Sequence, residues 1–121
     1  MTQKRKESTI LTKNLAFGIR IVKLHRHLCD KKKEYLLSRQ LLRSGTSVGA
    51  NLREAKYAQS RSDFISKNSI ALKEAAETEY WLELLYQTDV LTEPEFNSIR
   101  DDCVELIKLL TAIIKTKKAS E

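Results

Sequence analysis

Apolar side chains recur at alternating steps of three and four residues along most of this chain, a spacing typical of the buried face of an α-helix. One series comprises Leu37, Leu41, Ser44, Val48, Asn51, Ala55 and Ala58. Two later series comprise Phe64, Asn68, Ala71, Ala75, Thr78, Leu82 and Leu85, then Phe96, Ile99, Cys103, Leu106, Leu110 and Ile113. Alternating β-branched runs are missing, and three Gly and one Pro leave few turns for a sheet. The sequence therefore predicts an all-α fold.

Capping residues predict where the helices begin and end. The sharpest boundary is Thr92-Glu93-Pro94-Glu95, a capping box with Pro in the first turn, where its missing N–H costs nothing. Thr12 can cap the first helix, Ser60 and Ser62 are candidate caps for the third, and Lys31 to Lys33 form a charged connector. The predicted helices cover residues 12–30, 35–59, 62–89 and 93–117. Four helices with short links predict one domain over residues 1–121, an up-down-up-down antiparallel four-helix bundle.

The first predicted helix carries more apolar surface than one core-facing stripe needs. At about 100° per residue, two adjacent apolar arcs wrap more than half of it. The arcs are Phe17, Ile21, Leu24 and Leu28, and beside them Leu15, Ile19, Val22 and Cys29. If exposed, the second arc would form a larger apolar patch than soluble monomers usually show. We expect self-association to bury it, with a wide groove between helices of the same bundle as the alternative.

Charge is distributed unevenly along the chain. Residues 1–61 sum to +11 and residues 62–102 to −7, within a total of +6. On the side of helix 1 left by the apolar arcs lie Lys13, Arg20, Lys23 and His27. Phosphate backbones bind such a basic stripe through counterion release, whereas the alternative is a solvated face that keeps the protein soluble. If the stripe contacts phosphate, the acidic segment must lie on a different surface.

No catalytic or metal-binding constellation is predicted, and no cofactor is expected. His25 and Cys29 share a helix face, but His27 points about 200° away from His25, so only two ligands converge. Gly45 and Gly49 lack a preceding strand, so we interpret them as points of close helix approach rather than a phosphate loop. The polar N-terminus and the lack of a long apolar run predict a cytoplasmic protein that spans no membrane.

Three polar residues occupy positions on the apolar series, where an unpaired polar group would be costly to bury. They are Ser44, Asn51 and Asn68. We expect each to find a hydrogen-bond partner. A buried amide between packed helices commonly fixes their register and the oligomeric state, so we interpret Asn51 as structural.

Two stretches of the chain resemble a known family. The first is QLLRSGTSVGAN from Gln40 to Asn51, followed by Glu54-Ala55. The second combines SDFI from Ser62, IALKEA from Ile70, and Glu77-Thr78 with Tyr80-Trp81-Leu82. These residues closely resemble the signature of the bacterial four-helix bundle protein family, which includes the protein encoded by intervening sequences in 23S ribosomal RNA genes. The family also includes the accessory variability determinant of diversity-generating retroelements.

This resemblance implies a barrel-like homopentamer of up-down bundles without enzymatic activity. It carries a structural motif onto Arg43, Ser44, Asn51, Glu54, Lys73, Glu74, Glu77 and Trp81. In the accessory determinant, a basic surface binds nucleic acid and the protein acts with a reverse transcriptase.

Two functions follow as hypotheses. In the first, the oligomer is a scaffold that binds RNA or DNA, as an accessory to a reverse transcriptase or another RNA-handling enzyme. Its phosphate contacts would be Lys13, Arg20, Lys23, Arg26, Lys31, Lys32 and Lys33. In the second, the protein is an adaptor that binds only protein, with Tyr80, Trp81 and Tyr86 as candidate anchors.

Overall fold

The computed structural model describes residues 1–120, which form four helices. These are α1 Gln3–Lys32, α2 Leu36–Lys56, α3 Arg61–Gln87 and α4 Glu93–Ala119. Each helix packs against the next one in the chain, and α1 closes the bundle against α4. Short links force successive helices to run in opposite directions. The all-α fold and the four-helix bundle are thereby confirmed. Within residues 1–120, none of the helices is both long and apolar enough to cross a membrane.

The beginnings of α3 and α4 are fixed by the predicted caps. The Thr92 hydroxyl accepts a hydrogen bond from the backbone N–H of Glu95 at 3.3 Å, and the Glu95 carboxylate accepts one from the N–H of Thr92 at 2.8 Å. These reciprocal bonds satisfy two N–H groups that the first turn leaves unpaired. Ser60 caps α3 by accepting from the N–H of Asp63 at 3.0 Å.

The prediction that helix 1 begins near Thr12 was wrong. The helix begins at Gln3, capped by the hydroxyl of Thr2. Tertiary contacts hold this extra length in place: Ile10 is 2% exposed, and the Gln3 side chain donates to the carbonyl of Ile113 at 3.2 Å. The basic composition of the segment concealed it, because only one strongly apolar residue anchors two turns.

The end of α1 and the start of α2 also differ from the prediction. Lys31 and Lys32 form the last turn of α1 rather than a connector, and Lys33 ends the helix in a left-handed conformation with φ 54°. The Glu34 carboxylate then accepts hydrogen bonds from the N–H groups of Leu37 and Ser38, at 3.1 and 2.8 Å. A carboxylate therefore caps α2, and the α2 helix starts at Leu36.

The core is built from the predicted apolar series. Phe17, Ile21 and Leu28 of the first α1 arc are buried, together with the inward positions of α2, α3 and α4. Cys103 is fully buried; its Sγ donates to the carbonyl of Ala75 at 3.3 Å, and burial raises the thiol pKa to about 12. A thiol held neutral in this way acts as a small hydrophobic residue.

Two glycines set the distance between α1 and α2, as the sequence indicated. A Cβ placed on Gly45 would lie 2.8 Å from Cγ2 of Ile21, which is fully buried and has nowhere to move. A Cβ on Gly49 would lie 2.4 Å from Nδ2 of the Asn14 side chain. Neither contact is possible between real atoms, so the two helices approach as closely as they do because both side chains are missing.

Candidate interaction surfaces

An open groove between α1 and α2 displays three of the four residues of the second apolar arc of α1, all except Cys29. Leu15 and Ile19 are 59% and 49% exposed, while Val22 is half-buried. The floor consists of small residues, Gly18, Gly45, Gly49 and Ala50, which contribute little side-chain bulk. The bundle therefore leaves this arc exposed instead of burying it in its own core. We call this surface the α1/α2 groove.

The rim of the α1/α2 groove is basic. Lys23, Arg26 and Arg53 line it, and no acidic side chain among its lining residues faces them. Within residues 1–120, no salt bridge is formed by any of the three. A partner surface for this groove would thus combine apolar side chains with carboxylates at its edge.

The rest of the α1 basic stripe faces acidic residues of α4. Lys13 pairs with Glu105 at 3.1 Å, and Arg20 pairs with Asp102 at 2.5 Å. The guanidinium of Arg20 also donates to the Ser98 hydroxyl at 2.9 Å. These contacts contradict the requirement that the acidic segment lie on a different surface. The antiparallel closure of α1 on α4 brings the two charge blocks of the sequence side by side.

The other cations predicted to bind nucleic acid divide between two places. Lys23 and Arg26 lie at the rim of the α1/α2 groove, as described above. Lys31, Lys32 and Lys33 are exposed at the end of the bundle where α1 ends and α4 begins. The predicted contacts therefore do not form one continuous stripe.

A different basic surface emerges at the opposite end of the bundle, where α1 and α3 begin and α2 and α4 end. Residues 1–12, 50–68 and 108–120 carry eleven Lys and Arg against three Asp and Glu, a net charge of +8. Residues 24–39 and 79–101, at the other end, carry six against eight, a net charge of −2. We call the first surface the basic end. The linear sequence concealed it because its cations come from three separated segments.

A concave site lies within the basic end, with residues from all four helices around it. Its cations are Lys56, Arg61 and Lys117, and Glu7 is the acidic residue at its edge. Arg61 donates to the carbonyls of Lys117 and Lys118 at 2.8 and 2.9 Å, tying α3 to the last turn of α4. The ammonium of Lys117 lies 4.7 Å from the ring centroid of Phe64.

The family-motif residues of α2 and α3 form a network on the outside of the bundle. The guanidinium of Arg43 donates to Glu74 at 3.2 Å and to Glu77 at a shorter distance. The indole N–H of Trp81 donates to the same Glu77 oxygen at 2.9 Å. The Trp81 hydrogen bond, followed by Arg43, holds the pKa of Glu77 below its ordinary value, and the bond to Glu77 raises the pKa of Arg43.

Two further charged residues of the motif, Glu54 and Lys73, lie outside this network. Glu54 pairs with Lys67 at 3.1 Å, a second link between α2 and α3. Lys73 is exposed on α3. The motif thus joins α2 to α3 through charged side chains at two levels of the bundle.

The three polar residues of the apolar series each have a hydrogen-bond partner, as expected. The hydroxyls of Ser44 and Thr78 lie 2.9 Å apart and link α2 to α3. Asn51 donates to the carbonyl of Ser47 at 2.9 Å, so the partner expected for it lies in its own helix. Asn68 likewise donates to Phe64 of its own helix. The contact between α2 and α3 is therefore specified by two hydroxyls rather than by an amide.

Asn14 is a buried polar residue that the sequence did not identify. It is 8% exposed on α1, where its amide packs against Gly49. Its side-chain oxygen accepts no hydrogen bond from residues 1–120. The signal that could have found it is its position three residues before Phe17 and four after Ile10, on the buried face.

The candidate aromatic anchors differ in exposure. Tyr80 is 54% exposed and makes an edge contact with Trp81, whose centroid is 5.0 Å away. Trp81 is half-buried, and Tyr86 stacks on Phe96 with ring centroids 4.6 Å apart. Of the three, only Tyr80 presents most of its ring to solvent.

His25 and Cys29 lie together, as their spacing predicted. The Cys29 sulfur is 3.8 Å from Nε2 of His25 and 3.6 Å from the hydroxyl of Ser38. His25 Nδ1 lies 3.1 Å from the Ser38 carbonyl, so the ring is held against the start of α2. These contacts pack α1 onto α2 near the loop that joins them.

Four long helices in up-and-down order, closed by α1 against α4, define a small antiparallel four-helix bundle protein. A model of the 23S rRNA-intervening sequence protein family matches residues 6–112, and the chain belongs to that family. A solved structure of a protein of unknown function, from the S23 ribosomal protein family of Bacteroides thetaiotaomicron, is 55% identical, with a TM-score of 0.90. That match covers 91% of this chain and 98% of the other. A comparison with curated proteins found no match. The family resemblance seen in the sequence is confirmed.

Proposed function

We propose that this chain is a non-catalytic scaffold that assembles into a homo-oligomer and binds nucleic acid through a basic surface. The observation that carries the proposal is the α1/α2 groove, an exposed apolar surface on an otherwise well-packed bundle. The clustered carboxylates of α3 support a structural role, because Glu74 and Glu77 bind Arg43 and Glu79 binds Arg100 at 3.5 Å.

The exposed α1 arc supports assembly on energetic grounds. Fully burying a Leu or Ile side chain contributes about 1.5–3 kcal/mol, and Leu15 and Ile19 are still 59% and 49% exposed. Several copies of the groove buried in one assembly would add these contributions. A ring of five copies is the assembly that the family resemblance implies, and it is the oligomer we expect.

Light scattering tests the assembly directly. The wild-type chain should have a mass several times 13.9 kDa, with five copies favoured. Ile19→Glu should give a folded monomer. The charge placed in the groove should prevent assembly, and the fold should tolerate it because about half of the native side chain already faces solvent. Helix content by circular dichroism should be unchanged.

Leu36→Glu is the matched control for this experiment. Leu36, the first residue of α2, is 76% exposed and lies away from the α1/α2 groove, so the same change of chemistry should leave the mass unaltered. A wild-type chain that is monomeric at micromolar concentration would overturn the proposed assembly. An Ile19→Glu variant with the same mass as the wild-type oligomer would show that the α1/α2 groove is not the subunit interface.

Nucleic-acid binding is supported by the surplus of cations. The net charge is +6, and the cations at the basic end outnumber the acidic residues there. Binding should be largely independent of base sequence and should weaken steeply with salt, because each neutralised phosphate releases counterions. Gel-shift experiments with single-stranded RNA, duplex DNA and a structured RNA at low salt test this. If none of them shifts, the protein-adaptor function, with Tyr80 as its exposed anchor, replaces this one.

A further inference from the structure

We infer that the nucleic-acid site is the basic end, and that it takes a single strand whose phosphates contact lysines and whose bases stack on Tyr57. This inference rests on the proposed function and names the surface and the ligand class. It differs from the stripe predicted on α1, because the structure pairs Lys13 and Arg20 with α4.

The charge of the basic end comes from side chains and not from the helix backbones. Two helices begin and two end there, so their macrodipoles oppose one another. The net charge of +8 is therefore the quantity that attracts a polyanion, and it contrasts with −2 at the other end. A phosphate backbone approaching the molecule would be drawn to one end.

Two of the cations suited to phosphate contact, Lys56 and Lys117, line the concave site, and Lys118 follows Lys117 in the chain. Lys56 and Lys118 are exposed, and Lys117 lies at the edge of the site over the Phe64 ring. These lysines lie on the last turns of α2 and α4, two helices that end at the same end of the bundle. Arg61 is engaged with the α4 carbonyls and holds that edge in position, so we assign it a positioning role.

An exposed aromatic ring next to Lys56 points to a single strand as the ligand; the shallow surface around this ring holds Arg53 and Lys67 together with Glu54 and Asp63. Tyr57 is 73% exposed in the turn after α2, and the ammonium of Lys56 lies 5.6 Å from its ring centroid. Every unpaired base offers a π-face that can stack on such a ring, whereas a duplex keeps its base faces covered. Stacking next to a lysine accepts any base, in keeping with binding that does not depend on sequence.

The test uses fluorescence anisotropy with the full chain and an unstructured single-stranded RNA of about 20 nucleotides, at about 50 and 200 mM salt. The first variant replaces Lys56, Lys117 and Lys118 with Gln. Its matched control replaces Lys31, Lys32 and Lys33 with Gln, removing the same charge from the other end. Tyr57→Leu tests stacking without changing charge.

The basic-end variant should bind about tenfold more weakly at low salt and have a smaller salt slope, since each lost phosphate contact removes about 0.7 from it. The control should stay within about twofold of wild type. Tyr57→Leu should lose about fivefold or more with the slope unchanged. Circular dichroism and light scattering verify that fold and assembly are retained.

Each other outcome is decisive. Equal losses of affinity in both lysine variants would mean that binding depends on net charge alone. A larger loss in the control would mean that the site lies at the end of α1. Either result overturns the inference and leaves the proposed function standing. Duplex DNA bound as tightly as single-stranded RNA would overturn the stacking role of Tyr57. A wild-type protein that binds no nucleic acid at low salt would overturn the proposed function and this inference together.

Discussion

At the scale of single residues, Glu77 is a surface carboxylate held by two hydrogen-bond donors. It accepts hydrogen bonds from Trp81 and Arg43, and both lower its pKa. A carboxyl whose pKa is lower in the folded state stabilises the fold above its unfolded pKa. That contribution disappears as the pH falls through the folded pKa. The link between α2 and α3 should therefore weaken only in acid, below the ordinary carboxyl pKa of 4.5.

The single tryptophan makes this titration observable. Protonation of Glu77 replaces a charged acceptor of the Trp81 indole N–H with a neutral one, so Trp81 fluorescence should change with a midpoint below pH 4.5. Glu77→Gln should abolish that transition. Glu74→Gln, which removes the other Arg43 partner but leaves the indole bond, should retain it. A midpoint above 4.5 in wild type would contradict the observed hydrogen bonding.

Polar residues also mark where sequence patterns stop being informative. Ser44 and Asn51 occupy equivalent positions in the repeat, yet only Ser44 reaches a neighbouring helix. An amide long enough to bond its own preceding turn can satisfy itself, and spacing alone does not distinguish that choice. Asn14 was missed because an amide between apolar positions looks like a boundary residue until its neighbour, Gly49, is known.

At the scale of the elements, alanine substitutions at Gly18 and Gly45 should distinguish the effect of helix propensity on stability from the effect of packing. Replacing Gly by Ala inside a helix gains about 1 kcal/mol when space is available. A Cβ on Gly18 meets no atom within 4 Å, so Gly18→Ala should raise the free energy of unfolding by about 0.5–1 kcal/mol. Gly45→Ala should lower it by about 1–3 kcal/mol, because the added methyl group collides with buried Ile21.

These free energies are best measured by urea unfolding of chains that also carry Ile19→Glu, so that assembly does not contribute. In the wild-type background Gly18→Ala has a second use, since Gly18 lies in the floor of the α1/α2 groove. A methyl group there should weaken self-association while strengthening the monomer. Stabilisation by Gly45→Ala would mean that α1 and α2 are not in the contact described.

Most of the elements could be predicted from the sequence, and the errors have a common physical cause. The start of α4 was predicted to the residue because its signals, Thr92, Pro94 and Glu95, are local. The start of α1 was missed by nine residues because its first turns depend on Gln3 and Ile10 reaching other helices. Local chemistry is visible in the sequence, whereas contacts between distant segments become visible only after folding.

At the scale of the whole molecule, folding rearranges the charge. The sequence divides it between halves, +11 in residues 1–61 against −7 in residues 62–102. The bundle lays α1 beside α4, so Lys13 and Arg20 meet Glu105 and Asp102. What remains is a difference between the two ends. The candidate groove could be anticipated from the helix 1 arcs, but the basic end could not, because it combines three separated segments.

This rearrangement predicts a small role for the paired part of the stripe. Replacing Lys13 and Arg20 together with Gln should leave RNA affinity within about twofold, since both charges are already neutralised by α4. Each side chain is 40% or more exposed, and exposed pairs contribute only about 0–1 kcal/mol, so the fold should persist. Anisotropy and thermal unfolding measure the two effects. A tenfold loss of affinity would mean that Lys13 and Arg20 belong to the RNA-binding surface after all.

The difference between the two ends has a geometric consequence for a ring. In a ring with one rotation axis, the parts of the subunits' charge asymmetry that are perpendicular to the axis cancel. The parts that are parallel to the axis add. Unless the bundles lie flat in the plane of the ring, all the basic ends point to the same face. The assembly would then have two different faces. The basic face would bind a nucleic-acid strand, and the opposite face, which carries Lys31 to Lys33 among acidic neighbours, would stay accessible to other proteins.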